Sequence, residues 1–177
     1  SADPTVIVGV EPTATSIKYR VTITNSWTAQ ANNVVAYDVL PYSGDAGLTD
    51  TSSLVPRGSS VKENLVTASG VPGDVSLAYS TSTNPPRPGV YTGATTGDWT
   101  APAAGASSLR ATITSLAPGA SRSFTYEAAL SGGSADQIAC NSVAGVATSL
   151  SPVEPAPVCA TTQQADLSVV AGSRFPL

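Results

Sequence analysis

The sequence predicts an all-β chain, an antiparallel β-sandwich with two long irregular loops, and three observations predict it. Apolar and polar residues alternate with period two in several short segments, the pattern of a strand with one face turned inward. Pro and Gly, 14 and 15 of the 177 residues, recur too often for long helices. About nine short strands with turn-rich connections suit a sandwich or a barrel, and the lack of a repeated hairpin unit favours the sandwich.

The clearest strand is residues 16–24, where Ile17, Tyr19, Val21 and Ile23 alternate with Lys18, Arg20, Thr22 and Thr24. A shorter strand at 6–10 is ended by Glu11-Pro12, and one at 34–40 is closed by Pro41. The polar turn 25–33 between the second and third strands contains Trp27. Residues 41–60 form the first long loop, punctuated by Pro41, Gly44, Gly47, Pro56 and Gly58. Strands follow at 61–67 and 75–81, separated by a turn at 70–74. The second long loop, 84–106, opens on Pro85, Pro86 and Pro88 and holds Trp99. Leu109, Ala111 and Ile113 mark the next strand, Pro118-Gly119 a turn, and Phe124 and Tyr126 one face of a strand over 123–130. Strands at 138–148 and 166–170 complete the set. Loops of this length are uncommon in a compact domain, so they are expected to carry ordered turns or functional surface.

Composition excludes several chemistries. The chain has no His, so it has neither a Ser-His-Asp nor a Cys-His arrangement nor an imidazole metal ligand. Eight Lys and Arg against 12 Asp and Glu give a net charge of −4, with no basic footprint for nucleic acid. No run of about 18 apolar residues reads as a membrane helix. The absence of Met is expected of an excised or processed piece. Cys140 and Cys159 have no CxxC partner, and two thiols do not make a four-ligand zinc site. In an exported protein they are expected to form a structural disulfide, two free buried cysteines being the alternative.

The opening motifs resemble a known family. Tyr19-Arg-Val-Thr-Ile-Thr-Asn25, followed by Ala31-Asn-Asn-Val-Val-Ala-Tyr-Asp-Val-Leu-Pro41, is similar to the start of the bacterial surface repeat called domain of unknown function eleven. Ser115-Leu-Ala-Pro-Gly-Ala-Ser121 with Phe124-Thr-Tyr126, and the strand around Asn141, resemble its later part. Gly44-Asp45, Arg57-Gly-Ser59, Tyr79-Ser-Thr-Ser-Thr-Asn-Pro85 and Asp98-Trp99 resemble a long actinobacterial variant of it. The likeness spans residues 3–160, and it departs at Pro86, where some relatives are expected to carry a Cys. It implies an immunoglobulin-like sandwich used as a repeated module, and it transfers no catalytic or binding residue. Residues 1–164 are then the surface module. Residues 165–177, containing Asp166-Leu-Ser-Val-Val170, are either its closing strand or the start of a following module.

Several residues suggest specific chemistry, and each also has a plainer structural role open to it. Leu54-Val-Pro-Arg-Gly-Ser59 reads like a thrombin site, but its flanks fit the middle of the module and the likeness is read as coincidence; thrombin is expected to nick it if that loop is mobile. Asp38, Asp45 and Asp50 share a loop region and invite a Ca²⁺ reading, but they lack the spacing of a calcium loop, and solvated turn carboxylates are expected. An isopeptide crosslink would need Lys18 or Lys62 with Asn141 and Glu127, yet Lys18 has outward parity on its strand. Trp27, Tyr42, Tyr91 and Trp99 lie in turns or loops, where they either plug the ends of the core or form a platform for sugar or protein. Arg87, between prolines, either caps a loop or faces solvent.

The expected function is a non-enzymatic spacer or adhesion module of a secreted or wall-attached Gram-positive surface protein. Such a module needs no cofactor and acts as a monomer alongside neighbouring modules and a host or cell-surface protein or glycan. The alternative is a carbohydrate-binding module using the loop aromatics.

Overall fold

The structure, a computed structural model, describes residues 8–10, 16–132 and 136–162. The strand expected at 166–170, and the choice between closing strand and next module at 165–177, lie outside the described residues. Ten strands are described: β1 (Val8–Val10), β2 (Ser16–Thr24), β3 (Ala31–Val39), β4 (Lys62–Ser69), β5 (Val75–Ser80), β6 (Ser108–Leu116), β7 (Ser121–Ser131), β8 (Ile138–Asn141), β9 (Val143–Val146) and β10 (Val158–Thr162). Among the described residues there is no helix.

One sheet runs in the order β2-β7-β4 and a second in the order β5-β6-β3-β9, every pair antiparallel. A third group, β1-β10-β8, contains the one parallel pair described, β1 with β10. Between the first two sheets lies the main core. Leu65, Phe124, Tyr126 and Ala128 come from one side, and Val34, Ala36, Leu109, Ala111, Ile113 and Leu116 from the other. The period-two pattern of β2 is fulfilled, with Val21 buried and Lys18, Arg20, Thr22 and Thr24 exposed. Each large aliphatic or aromatic side chain in this layer contributes about 1.5–3 kcal/mol by leaving water.

Three features differ from, or add to, what the sequence predicts. The strand expected at 138–148 is two, broken at the buried Ser142: β8 pairs with β10 and β9 with β3. The Pro-rich stretch 151–157 leads into β10, a short strand whose Val158-Cys-Ala-Thr-Thr162 shows no period-two alternation of apolar and polar residues. The third change concerns the long loops. Both fold back onto the outer face of the second sheet, where Leu48 and Val90 pack with Tyr37, Val39 and Ala144 in a second core, flanked by Tyr42 and Trp99. That is why Tyr37, Asp38, Val39 and Leu40 are buried in succession: the end of β3 is covered on both faces.

The loops are also tied to each other. Asp50 N–H donates to Val90 O at 3.1 Å. Asp50 Oδ1 accepts from Thr92 N–H at 2.8 Å. Trp99 Nε1 donates to Pro86 O at 2.8 Å, while its ring lies 5.8 Å from that of Tyr37 and beneath the Arg110 guanidinium. Gly47 is required in the first loop because any Cβ there would overlap the Ser52 carbonyl.

Candidate functional site

Three features concentrate polar or accessible chemistry: a sealed network between the sheets, a small cavity where the long loops meet, and a groove along β2.

The network begins at Asp38, which the β3 alternation points into the core beside Ala36 and Leu40. Tyr126 donates its hydroxyl to Asp38 Oδ2 at 2.7 Å, and Asn141 Nδ2 donates to the same oxygen at 3.2 Å. Arg57 reaches Asn141 Oδ1 at 3.3 Å and Val39 O at 2.9 Å, and it pairs with Asp45 at 2.8 Å. Asp45 also accepts from the Ser59 hydroxyl at 2.7 Å, and Ser59 Oγ accepts from Cys140 N–H at 3.1 Å. Beside this cluster Tyr19 donates to Glu63 Oε1 at 3.0 Å and stacks on Tyr126.

Burial sets the electrostatics here. Desolvation pushes Asp38 up to about 6, although hydrogen bonds from Tyr126 and Asn141 and the Arg57 charge act in the other direction. Desolvation pushes Glu63 up to about 8, again against the Tyr19 hydrogen bond. Perturbed carboxyls often mark reaction centres. These two are 1% exposed and their partners come from other elements: Glu63 joins β4 to β2, Asp38 joins β3 to β7 and β8, and Arg57 ties the first long loop to β3 and β8.

The structure does not gather Asp38, Asp45 and Asp50. The first binds Tyr126 and Asn141, the second Arg57 and Ser59, and the third Thr92. Among the described residues no group of His, Cys, Asp and Glu is placed to hold a metal ion. Nor do the proposed crosslink partners meet: Lys18 is exposed, opposite Glu127 in the β2–β7 register, Lys62 is exposed, and Asn141 is engaged by Asp38, Tyr126 and Arg57. Within the thrombin-like motif Leu54 and Val55 are exposed, but Arg57 is buried in its ion pair.

Cys140 and Cys159 are bonded, joining β8 and β10 at directly paired positions. The expected disulfide is therefore present.

The second feature is a cavity of ≈ 210 Å³ between the long loops, lined by Tyr42, Gly47, Leu48, Ser53 and Ala46 from the first and Thr83, Asn84, Arg87 and Tyr91 from the second. Arg87 neither merely caps nor faces solvent. It is 4% exposed, donates Nε to Leu48 O at 3.2 Å and Nη1 to Pro85 O at 3.1 Å, and lies 4.7 Å from the centre of the Tyr91 ring. Gly93 makes room for that ring, since a Cβ there would overlap the Tyr91 phenol. Of the four aromatics singled out in the sequence, Tyr42 and Tyr91 meet in this cavity. Trp99 is half-buried in the second core, and Trp27 stands 60% exposed in the β2–β3 turn.

The groove is the third feature. It runs between β2, from Lys18 to Thr24, and the chain from Asn141 to Gly145, with Val153 and Val158 exposed on its lip, and has a volume of ≈ 510 Å³. A smaller hollow of ≈ 220 Å³ shares Ile23, Thr24, Gly145 and Val153 with it and extends to Trp27 and Leu150.

No protein-family profile, curated protein or solved structure matches this chain.

Sequence reasoning missed Arg57, Ser59, Glu63 and Glu154, all drawn into polar contacts across elements. Glu63 is the one with a visible signal, since it shares strand parity with Val61 and Leu65, both of which are buried.

Proposed function

We propose that the chain is a non-catalytic structural and adhesive module of a secreted or cell-wall-attached bacterial surface protein, acting as a spacer stalk or adhesion domain. The motifs at 19–25, 31–41 and 115–126 place it, on this reading, beside the domain-of-unknown-function-eleven repeats with an immunoglobulin-like arrangement of strands. Its setting would be extracellular, next to further modules of the same polypeptide. A disulfide suits an oxidising compartment.

The observation that supports a mechanical role is how the buried charges are used. Asp38, Arg57 and Glu63 are each engaged by a hydrogen bond to a different element, and Asp45 holds Arg57 by an ion pair within the first long loop, close to the Cys140–Cys159 bridge. Such a network ties strands together and exposes no nucleophile or acid–base pair to a substrate. Single-molecule pulling on tandem copies is the test. A high unfolding force that falls on reduction agrees with a stalk. Unfolding at the force of a weak, non-mechanical domain, with or without reductant, removes it.

A second reading, a carbohydrate-binding module, is favoured by one observation: Tyr42 and Tyr91 line the same cavity.

A further inference from the structure

We propose that the cavity between the two long loops is a binding subsite for the carboxylate of an acidic sugar, with Arg87 as its anchor. The inference deepens the carbohydrate-binding reading and is independent of the stalk role.

The argument starts from an unbalanced charge. A guanidinium taken out of water is costly unless it is paired. Among the described residues the ion pairs are Arg57–Asp45 and Arg122–Asp74, and Arg87 has no carboxylate within reach. Two of its nitrogens bond carbonyl oxygens and the Tyr91 ring lies against the guanidinium, but none of these partners carries a negative charge. The remaining one, Nη2, has no partner among the described residues, and unlike Arg57 Nε and Arg110 Nε it is not sealed from solvent. Glu154, the acid that most nearly answers it, is committed to Ser52, to Ser142 and to the amides of Leu48 and Thr49. The guanidinium is thus held rigid, buried and one hydrogen bond short, on the wall of an open cavity. Carboxylates are the natural complement of such a donor.

The rest of the lining distinguishes a sugar acid from a bare carboxylate. The hydroxyls of Tyr42, Thr83 and Tyr91 are without hydrogen-bond partners among the described residues, as is Asn84 Oδ1, whose Nδ2 donates to Ala94 O. These groups offer the mixed donors and acceptors that ring hydroxyls require. At ≈ 210 Å³ the cavity is below the range of drug-sized ligands, about 300–1,000 Å³, and suits a single ring. The loops are joined across it by Asp50 to Val90 and Asp50 to Thr92, so the subsite is formed before a ligand arrives.

The experiment is a ¹⁵N-edited NMR titration of the chain with methyl β-glucuronide, methyl β-glucoside and acetate, repeated on Arg87→Gln and on Thr83→Val. Glucuronide is expected to shift amides of residues 46–48, 83–84, 87 and 91 saturably, at least tenfold more tightly than the neutral glucoside or acetate. Arg87→Gln is expected to abolish that preference, and Thr83→Val to weaken glucuronide several-fold while the spectrum stays folded. If Arg87→Gln does not fold, Thr83→Val carries the test, and an unchanged affinity there overturns the proposal. Equal binding of the glucoside removes the carboxylate assignment but leaves a glycan contact standing. Equal binding of acetate removes the sugar. No saturable shift with any of the three removes this subsite, while shifts with a neutral oligosaccharide that leave residues 83–91 unmoved would keep the carbohydrate-binding reading and still overturn the Arg87 assignment.

Discussion

Arg57 and Asp45 lie 2.8 Å apart with side-chain exposures of 2% and 0%, an ion pair closed off from water inside the first long loop. Arg57 also holds Val39 O and Asn141 Oδ1, so one guanidinium fastens the loop to the end of β3 and to β8. Removing it strands Asp45, which keeps only its contacts to Ser59 and a long one to Tyr42 N–H. Breaking one partner of a buried pair typically costs 3–5 kcal/mol. Arg57→Ala is therefore expected to destabilise the chain by about that much, measured by urea unfolding. A loss below about 1 kcal/mol would show that the pair is hydrated and weak.

The same pair decides the fate of the thrombin-like motif. Thrombin would have to draw the Arg57 side chain into its own specificity pocket, but here that side chain is buried between Asp45, Val39 and Asn141. Exposure of Leu54 and Val55 does not help, because the scissile residue is the one locked down. The native chain is expected to stay intact under prolonged thrombin and to be cut after Arg57 once unfolded in mild urea. Cleavage of the native chain, read by mass spectrometry, would contradict the rigid loop.

The strands were legible because their alternation reports one buried face, as in β2, and the main core followed from it. The loops were not, since their order comes from groups far apart in sequence. Arg87 meets Leu48, and Glu154 meets Ser52 and Thr49, contacts for which no local period exists. The burial of β3 on both faces follows from this same loop packing. Among the aromatics, sequence position placed Tyr42 and Tyr91 in loops. It did not indicate that they would share a cavity while Trp27 stood elsewhere.

The raised carboxyls fix the sign of the pH dependence. Glu63, lifted to about 8 by burial, and Asp38, lifted to about 6, hold their protons more tightly in the folded chain than in the unfolded one. An acid with a raised folded value stabilises fully below its unfolded value of about 4 and loses that contribution as pH rises through the folded value. Burial alone would raise Glu154 too, but hydrogen bonds from Ser52, Ser142 and the amides of Leu48 and Thr49 outweigh it and lower it, so its contribution is lost at the acid end. Thermal stability is therefore expected to peak near pH 4–5 and to decline from there to about pH 8.5. Glu63→Gln, which keeps the shape and removes the charge, is expected to flatten the decline and to raise the melting temperature at pH 8.5. Melting curves from pH 4 to 9 check this, and a wild-type optimum at pH 8 would refute it.

Cys140 and Cys159 occupy facing positions in the β8–β10 ladder, 19 residues apart in sequence. β10 is short, pairs with β8 and β1 among the described residues, and is reached through the mostly exposed stretch 151–157, which Glu154 pins to the first long loop. Its ladder to β8 runs over only Val158–Thr161, so the covalent link contributes a large share of what holds it to that strand. For a closed loop of this size the chain-entropy account assigns roughly 3 kcal/mol. The Cys140→Ser, Cys159→Ser double variant is expected to lose about that much in urea unfolding. Hydrogen exchange would locate the loss. Amides of β8 and β10 are expected to lose protection first, while those of β7, paired on both sides by β2 and β4, keep theirs. Uniform loss across all strands would instead mean that the bridge stabilises the fold as a single unit.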